Sequence, residues 1–279
     1  LTRDIRKLSN PGGSHIFEFQ LPFLVGYLPE GLRGFKDFID SYIKLQRTDG
    51  SWGYTSSMSM DSRKLGKEGE TNIGLCATPA SVILRYGRVS GDEKALESGL
   101  KALELMKQFK VPRGAQVWEV PVHTPDILAS ARAIDAYLEG YLITKDKEYL
   151  RYASYWAKTG LPFIYFWSKS DRPVMKYATI PVFGATFYNY SWFGYPVQWN
   201  GLVYAYELLR LAKYDKSFPW DRIGTGILSS GMHQQITEGI YKGLYPDSWD
   251  LINNLPRGPY INPEDILKPL YLMMGIKID

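Results

Sequence analysis

The sequence predicts an all-α protein built from stacked helical hairpins, and three observations carry that prediction. Apolar residues recur at spacings of three and four through most of the chain after Phe35. Helix-capping signals punctuate it at Ser90, Thr124 and Asn262. Strand signals are few, the best lying between Val174 and Phe187. The first helix is expected over Phe35 to Leu45, where Phe35, Phe38, Ile39, Tyr42 and Ile43 share a face before the turn Thr48-Asp49-Gly50. A second covers Thr78 to Tyr86. Ser90-Gly91-Asp92-Glu93 reads as a capping box opening a third helix that runs to about Phe109.

The clearest element follows Thr124-Pro125-Asp126, with Thr124 as N-cap, Pro125 in the first turn and Asp126 complementing the helix dipole. Ile127, Leu128, Ala131, Ile134, Leu138, Tyr141 and Leu142 form its broad apolar stripe. After Thr144-Lys145-Asp146 a partner helix carries Tyr149, Leu150, Ala153 and Trp156. Further helices are expected at Gly201–Lys213, Ile227–Glu238 and Glu264–Met273, the last opened by Asn262 and Pro263. Residues 1–34 read as an irregular segment, and 35–279 as one domain. The start at Leu1, without an initiator Met, fits a piece of a longer protein.

Composition narrows the class. A chain of 279 residues, 45% hydrophobic and 22% charged, is long enough for a sizeable core and too ordinary for disorder. No run approaches the roughly 18 apolar residues of a membrane span. The 33 basic and 29 acidic residues leave a net charge of +4 without a basic face, which argues against nucleic acid as partner. The lone Cys76, in an apolar run, is expected to be a buried, inert thiol. Phosphate loops, nucleophile elbows and zinc helices are missing. With three scattered His, neither metal nor cofactor is expected. The unusual feature is 15% aromatic residues.

The polar candidates concentrate in Trp118-Glu119-Val120-Pro121-Val122-His123-Thr124-Pro125-Asp126. Glycoside hydrolysis needs two carboxyls flanking one bond, and a Glu desolvated beside Trp118 suits a general acid. Glu119, Asp126 and His123 are therefore catalytic candidates, against the plain alternatives of a helix-dipole partner for Asp126 and a loop hydrogen bond for His123. Glu70, in the polar stretch from Thr55, is a second acid candidate or a solvated loop residue. Asp49 and Trp52 suit a sugar edge and face, or else a turn and a plug on a helix end. Between Tyr177 and Asn200, Tyr188, Tyr190, Trp192, Tyr195 and Trp199 offer amphipathic rings for sugars or a hydrophobic cover. A lyase would use Tyr188, Tyr190, His123 or His233 as base, with Asn189, Asn200 or Arg113 steadying the enolate.

A hairpin echo at Asp92 and Asp146, the segment Gln46-Arg47-Thr48-Asp49-Gly50-Ser51-Trp52-Gly53, and Trp118-Glu119 leading into Thr124-Pro125-Asp126 together resemble the α/α-toroid superfamily. That superfamily includes six-hairpin glycosidases, polysaccharide lyases, sugar epimerases and terpenoid cyclases. The resemblance implies an incomplete barrel of helical hairpins, an active site among long aromatic loops at one end, and at most a small β-hairpin. Asp49-Gly50-Ser51-Trp52-Gly53 also resembles a motif of terpene cyclases and prenyltransferases, but it occurs once and without their acid clusters. The expected function is a glycoside hydrolase with a carboxyl pair acting on a poly- or oligosaccharide. The alternatives are a polysaccharide lyase acting on uronic-acid glycans and a non-catalytic binding domain. Such substrates place the chain outside the cytoplasm, without a membrane partner.

Overall fold

The computed structural model describes Ile16 and residues 28–60, 63–172, 175–186 and 192–275. Among these, the helices are α1 (Leu28–Leu45), α2 (Ile73–Ser90), α3 (Glu93–Met106), α4 (Ile127–Thr144), α5 (Lys147–Gly160), α6 (Gln198–Leu211), α7 (Trp220–His233) and α8 (Glu264–Met273). They alternate between two layers. Helices α2, α4 and α6 are buried nearly all round; every residue of α6 is buried. α3, α5 and α7 bury one face each, and each packs against the inner helix before it in the chain. α8 packs on α6. A helix buried on every side must satisfy its charged residues inside the protein, and Asp135, Glu139, Glu207 and Arg210 do so through ion pairs with one another.

The turns show why the hairpins form. Gly91 and Lys145 end α2 and α4 in the left-handed conformation, with φ of 74° and 61°. Asp92 then caps α3 by accepting from Ala95 N at 3.0 Å, and Asp146 caps α5 by accepting from Glu148 N at 2.8 Å. The echo at Asp92 and Asp146 is thus a repeated capping device. Three expected caps are corrected. Asp92 caps α3, while Ser90 closes α2. Asp126, not Thr124, caps α4, accepting from Ala129 N at 2.7 Å. Pro263 holds the cap position of α8 with no side-chain bond.

Boundaries also move. α1 starts at Leu28 rather than Phe35, α2 runs through Pro79, and α7 begins at Trp220. The expected strand between Val174 and Phe187 is replaced by isolated bridges of Ile164 with Thr179 and Pro181 with Pro196. Among the described residues the sheet is instead β1 (Tyr245–Asp250) paired antiparallel with β2 (Leu255–Ile261). Pro246, Pro256, Gly258 and Pro259 mask these strands, because Pro and Gly signal turns rather than ladders.

One interior network ties the three inner helices together. Arg85 and Arg88 of α2 and Arg210 of α6 converge on Asp135 and Glu139 of α4, with Glu207 alongside. Arg88 reaches Glu139 at 2.7 Å, and Arg210 reaches Asp135 at 2.6 Å and Glu139 at 2.5 Å. Burial alone would raise the Glu139 carboxyl, but the three guanidiniums outweigh it and hold it at about 2. Glu139 lies about 20 Å along α4 from Asp126, at 1.5 Å per residue. The network therefore runs from the middle of α4 into its second half, away from the end that Asp126 caps.

Candidate functional site

The loop after α3 gathers the N-termini of the inner helices. Gly74, at the start of α2, donates to Arg113 O at 2.8 Å, and Asp126 N donates to Pro112 O at 2.8 Å. Asn200, in the first turn of α6, donates through Nδ2 to Gln116 Oε1 at 3.0 Å. Gly74 is required here because a Cβ would stand 2.3 Å from Ala115 N.

Asp126 forms the floor. Its carboxyl accepts from Ala129 N at 2.7 Å and from Ala115 N at 3.2 Å. Burial pushes the carboxyl up to about 6 against these hydrogen bonds and a further one from Gln116. Beside it lies a cavity of about 20 Å³ bordered by Gln116, Thr179 and Asn200, with Phe183 on its rim at 59% exposure. That volume holds a water, not a sugar ring.

Trp118, two residues along the chain from Gln116, and Trp199, one before Asn200, form a cluster of three tryptophans together with Trp192. Trp118 stacks on Trp199 with centroids 6.2 Å apart, and Trp192 meets both edge-on at 6.2 and 5.8 Å. Two carboxylates hold them. Glu119 is fully buried and accepts from Trp192 N at 2.7 Å. Asp247 of β1 accepts the indole N–H of Trp192 at 2.6 Å and that of Trp199 at 3.2 Å. Arg257 of β2 lies 3.7 Å over the Tyr195 ring.

The structure thus sets Asp126 at the small cavity and gathers Glu119, Trp118, Trp192 and Trp199 into one largely buried cluster, joined to that cavity through Gln116 and Asn200, with Tyr195 at its β-hairpin side. His123 is placed elsewhere, 65% exposed and 2.7 Å from Glu70. Glu70 also accepts from Lys67 N at 3.1 Å, so this pair latches two loops. Asp49 closes a turn by accepting from Ser51 N and Oγ at 2.9 and 2.7 Å. Trp52 is buried and donates to Tyr42 O at 2.9 Å, which makes it a plug beneath α1. Of the lyase candidates, Asn200 is at the cavity, the backbone of Arg113 supports it, and His233 is the exposed end of α7. Tyr188, Asn189 and Tyr190 lie outside the described residues. Sequence reasoning missed Gln116, Thr179 and Asp247, none of which carries a local signal. Among the described residues no group of three or more His, Cys, Asp or Glu is arranged to hold a metal ion. No helix among them is long and apolar enough to cross a membrane.

No protein-family model matches the sequence, and no curated protein matches it. Solved structures do match. The unsaturated glucuronyl hydrolase from Bacillus sp. GL1, responsible for the degradation of glycosaminoglycan, superposes with a TM-score of 0.60 at 13% identity, over 93% of this chain and 71% of that one. The fold is an α/α toroid. A heparin-specific unsaturated glucuronyl hydrolase gives 0.54 at 13% identity, over 90% of this chain and 68% of that one. A structure of UGL with dGlcA-Glc-Rha-Glc gives 0.61 at 12% identity, over 93% and 71%. Identities this low establish shared architecture, and one architecture hosts many chemistries. Among the described residues the helical hairpins form part of such a toroid.

Proposed function

We propose that this chain is a glycoside hydrolase acting on a uronic-acid-bearing oligosaccharide, with Asp126 as its proton donor. The observation that carries the proposal is the Asp126 carboxyl itself, raised to about 6 by burial beside the cavity that Gln116, Thr179 and Asn200 border. A carboxyl in that range keeps its proton to near-neutral pH and still gives it up readily, as protonation of a leaving oxygen requires. Half-buried Trp118 offers an apolar face to a pyranose ring, backed by the buried Trp192 and Trp199. In this reading Asp247, partly exposed and held by the indoles of Trp192 and Trp199, takes the proton from water, and Glu119 orders the wall through Trp192. The uronic-acid preference draws on the names of the similar structures, which are unsaturated glucuronyl hydrolases. Residence outside the cytoplasm is part of the same proposal.

The test is a turnover screen of the purified chain on oligosaccharides ending in an unsaturated uronide, following ultraviolet absorbance and reducing ends together. Hydrolysis is expected to raise reducing ends and abolish the uronide absorbance. Asp126→Asn is expected to slow turnover by roughly 10²–10⁴-fold. Binding of these glycans without turnover by the wild-type chain would sink the enzymatic reading in favour of a binding domain.

A further inference from the structure

Two polar atoms beside Asp126 are buried without a hydrogen-bond partner: Thr179 Oγ1 and Asn200 Oδ1. Their residues are 3% and 1% exposed. Leaving one such group unsatisfied costs about 1–3 kcal/mol, so two on one cavity mark a place for a ligand. Both residues line the 20 Å³ space that Asp126 and Gln116 also border.

Each atom is held in place. Asn200 Nδ2 is spent on Gln116 Oε1 at 3.0 Å, which orients the amide and leaves Oδ1 an acceptor. Thr179 N donates to Gln198 Oε1 at 3.0 Å, and Gln198 Nε2 donates to Ile227 O at 3.1 Å. The Thr179 methyl rests on Gly201, where a Cβ would stand 2.8 Å from Thr179 Cγ2. Gly201 is thus the residue that lets Thr179 approach α6.

Size and polarity define the occupant. One water needs about 10–15 Å³ of such space and two to four polar partners. Asn200 Oδ1 calls for a donor. The Thr179 hydroxyl donates or accepts, and the Asp126 carboxylate accepts. An anion would face acceptor oxygens, whereas water can donate to two of these groups and accept from the third.

We infer that one water molecule is bound in this cavity by Asn200 Oδ1 and Thr179 Oγ1 and donates a hydrogen bond to the Asp126 carboxylate. Thr179 and Asn200 are then positioning residues, acting on Asp126 through the water. The water site stands on geometry; its use in catalysis rests on Asp126 being the acid. The test needs no substrate, so the two ideas fail separately.

High-resolution crystallography of the chain is expected to show an ordered water within hydrogen-bond distance of both oxygens. Carbon-13 NMR of the Asp126 carboxyl is then compared between wild type, Thr179→Ser and Thr179→Val. Serine keeps the hydroxyl and is expected to titrate as wild type. Valine removes it, and the Asp126 midpoint is expected to rise by about one pH unit, the size of a hydrogen bond to a charged group. A dry or collapsed cavity in the wild-type crystal overturns the inference without any variant having to fold. So does a valine variant whose Asp126 midpoint is unmoved.

Discussion

Replacing Asp126 by Asn is expected to change the shape of the stability–pH curve in a way its height cannot mimic. In the folded chain burial holds the carboxyl at about 6, against an ordinary value of 3.8. Between those values the unfolded chain releases this proton while the folded chain keeps it. The unfolded state then binds fewer protons, so stability falls as pH rises through the window. A difference of about two pH units at 1.36 kcal/mol each gives a loss of about 3 kcal/mol from Asp126, complete above pH 6. Asn is as good an N-cap as Asp and can still accept from Ala129 N. Its amide would turn a donor toward Ala115 N–H, an offset that does not vary with pH. Urea unfolding of both proteins from about pH 3.5 to 8 tests this, because the difference between the curves cancels other titrating groups. The difference should move in favour of the variant between pH 4 and 6 and then level off. Parallel curves would refute the reasoning and leave Asp126 an ordinary capping carboxylate.

The remaining predictions concern the barrel itself. Glu139→Gln leaves Arg85, Arg88 and Arg210 short of a buried counter-charge and is expected to cost about 3–5 kcal/mol at pH 7, measured by urea unfolding. With its carboxyl held at about 2, Glu139 contributes stability above pH 4.5 that is lost as pH falls toward 2, so the variant's deficit should shrink in acid. A deficit that stayed constant would contradict the charge account. Gly74→Ala drives a Cβ against Ala115 N and is expected to destabilise by about 1–3 kcal/mol. Because it moves the loop that supports Asp126, it should also shift the Asp126 NMR titration, which a distant packing change would leave alone.

The sequence by itself determined what depends on neighbours along the chain. Helical periodicity, the turns at Gly91 and Lys145, and the caps at Asp92 and Asp146 are local events within a few residues, so the α class and its hairpins were legible. The concentration of Trp118, Glu119 and Asp126 before one helix was legible for the same reason. Tertiary structure decided what each of them does. Glu119, His123 and Asp126 stand within one short segment, yet packing turns Glu119 to the Trp192 amide, His123 outward to Glu70, and Asp126 into the floor. Burial is what raises the Asp126 carboxyl, and burial is a property of the assembled layers. Asp247 joins Trp199 from 48 residues away, and Thr179 meets Gln198 because α6 and Gly201 give it room. Such meetings leave no periodic trace, because the barrel mouth is made where three helix ends converge rather than along any one of them.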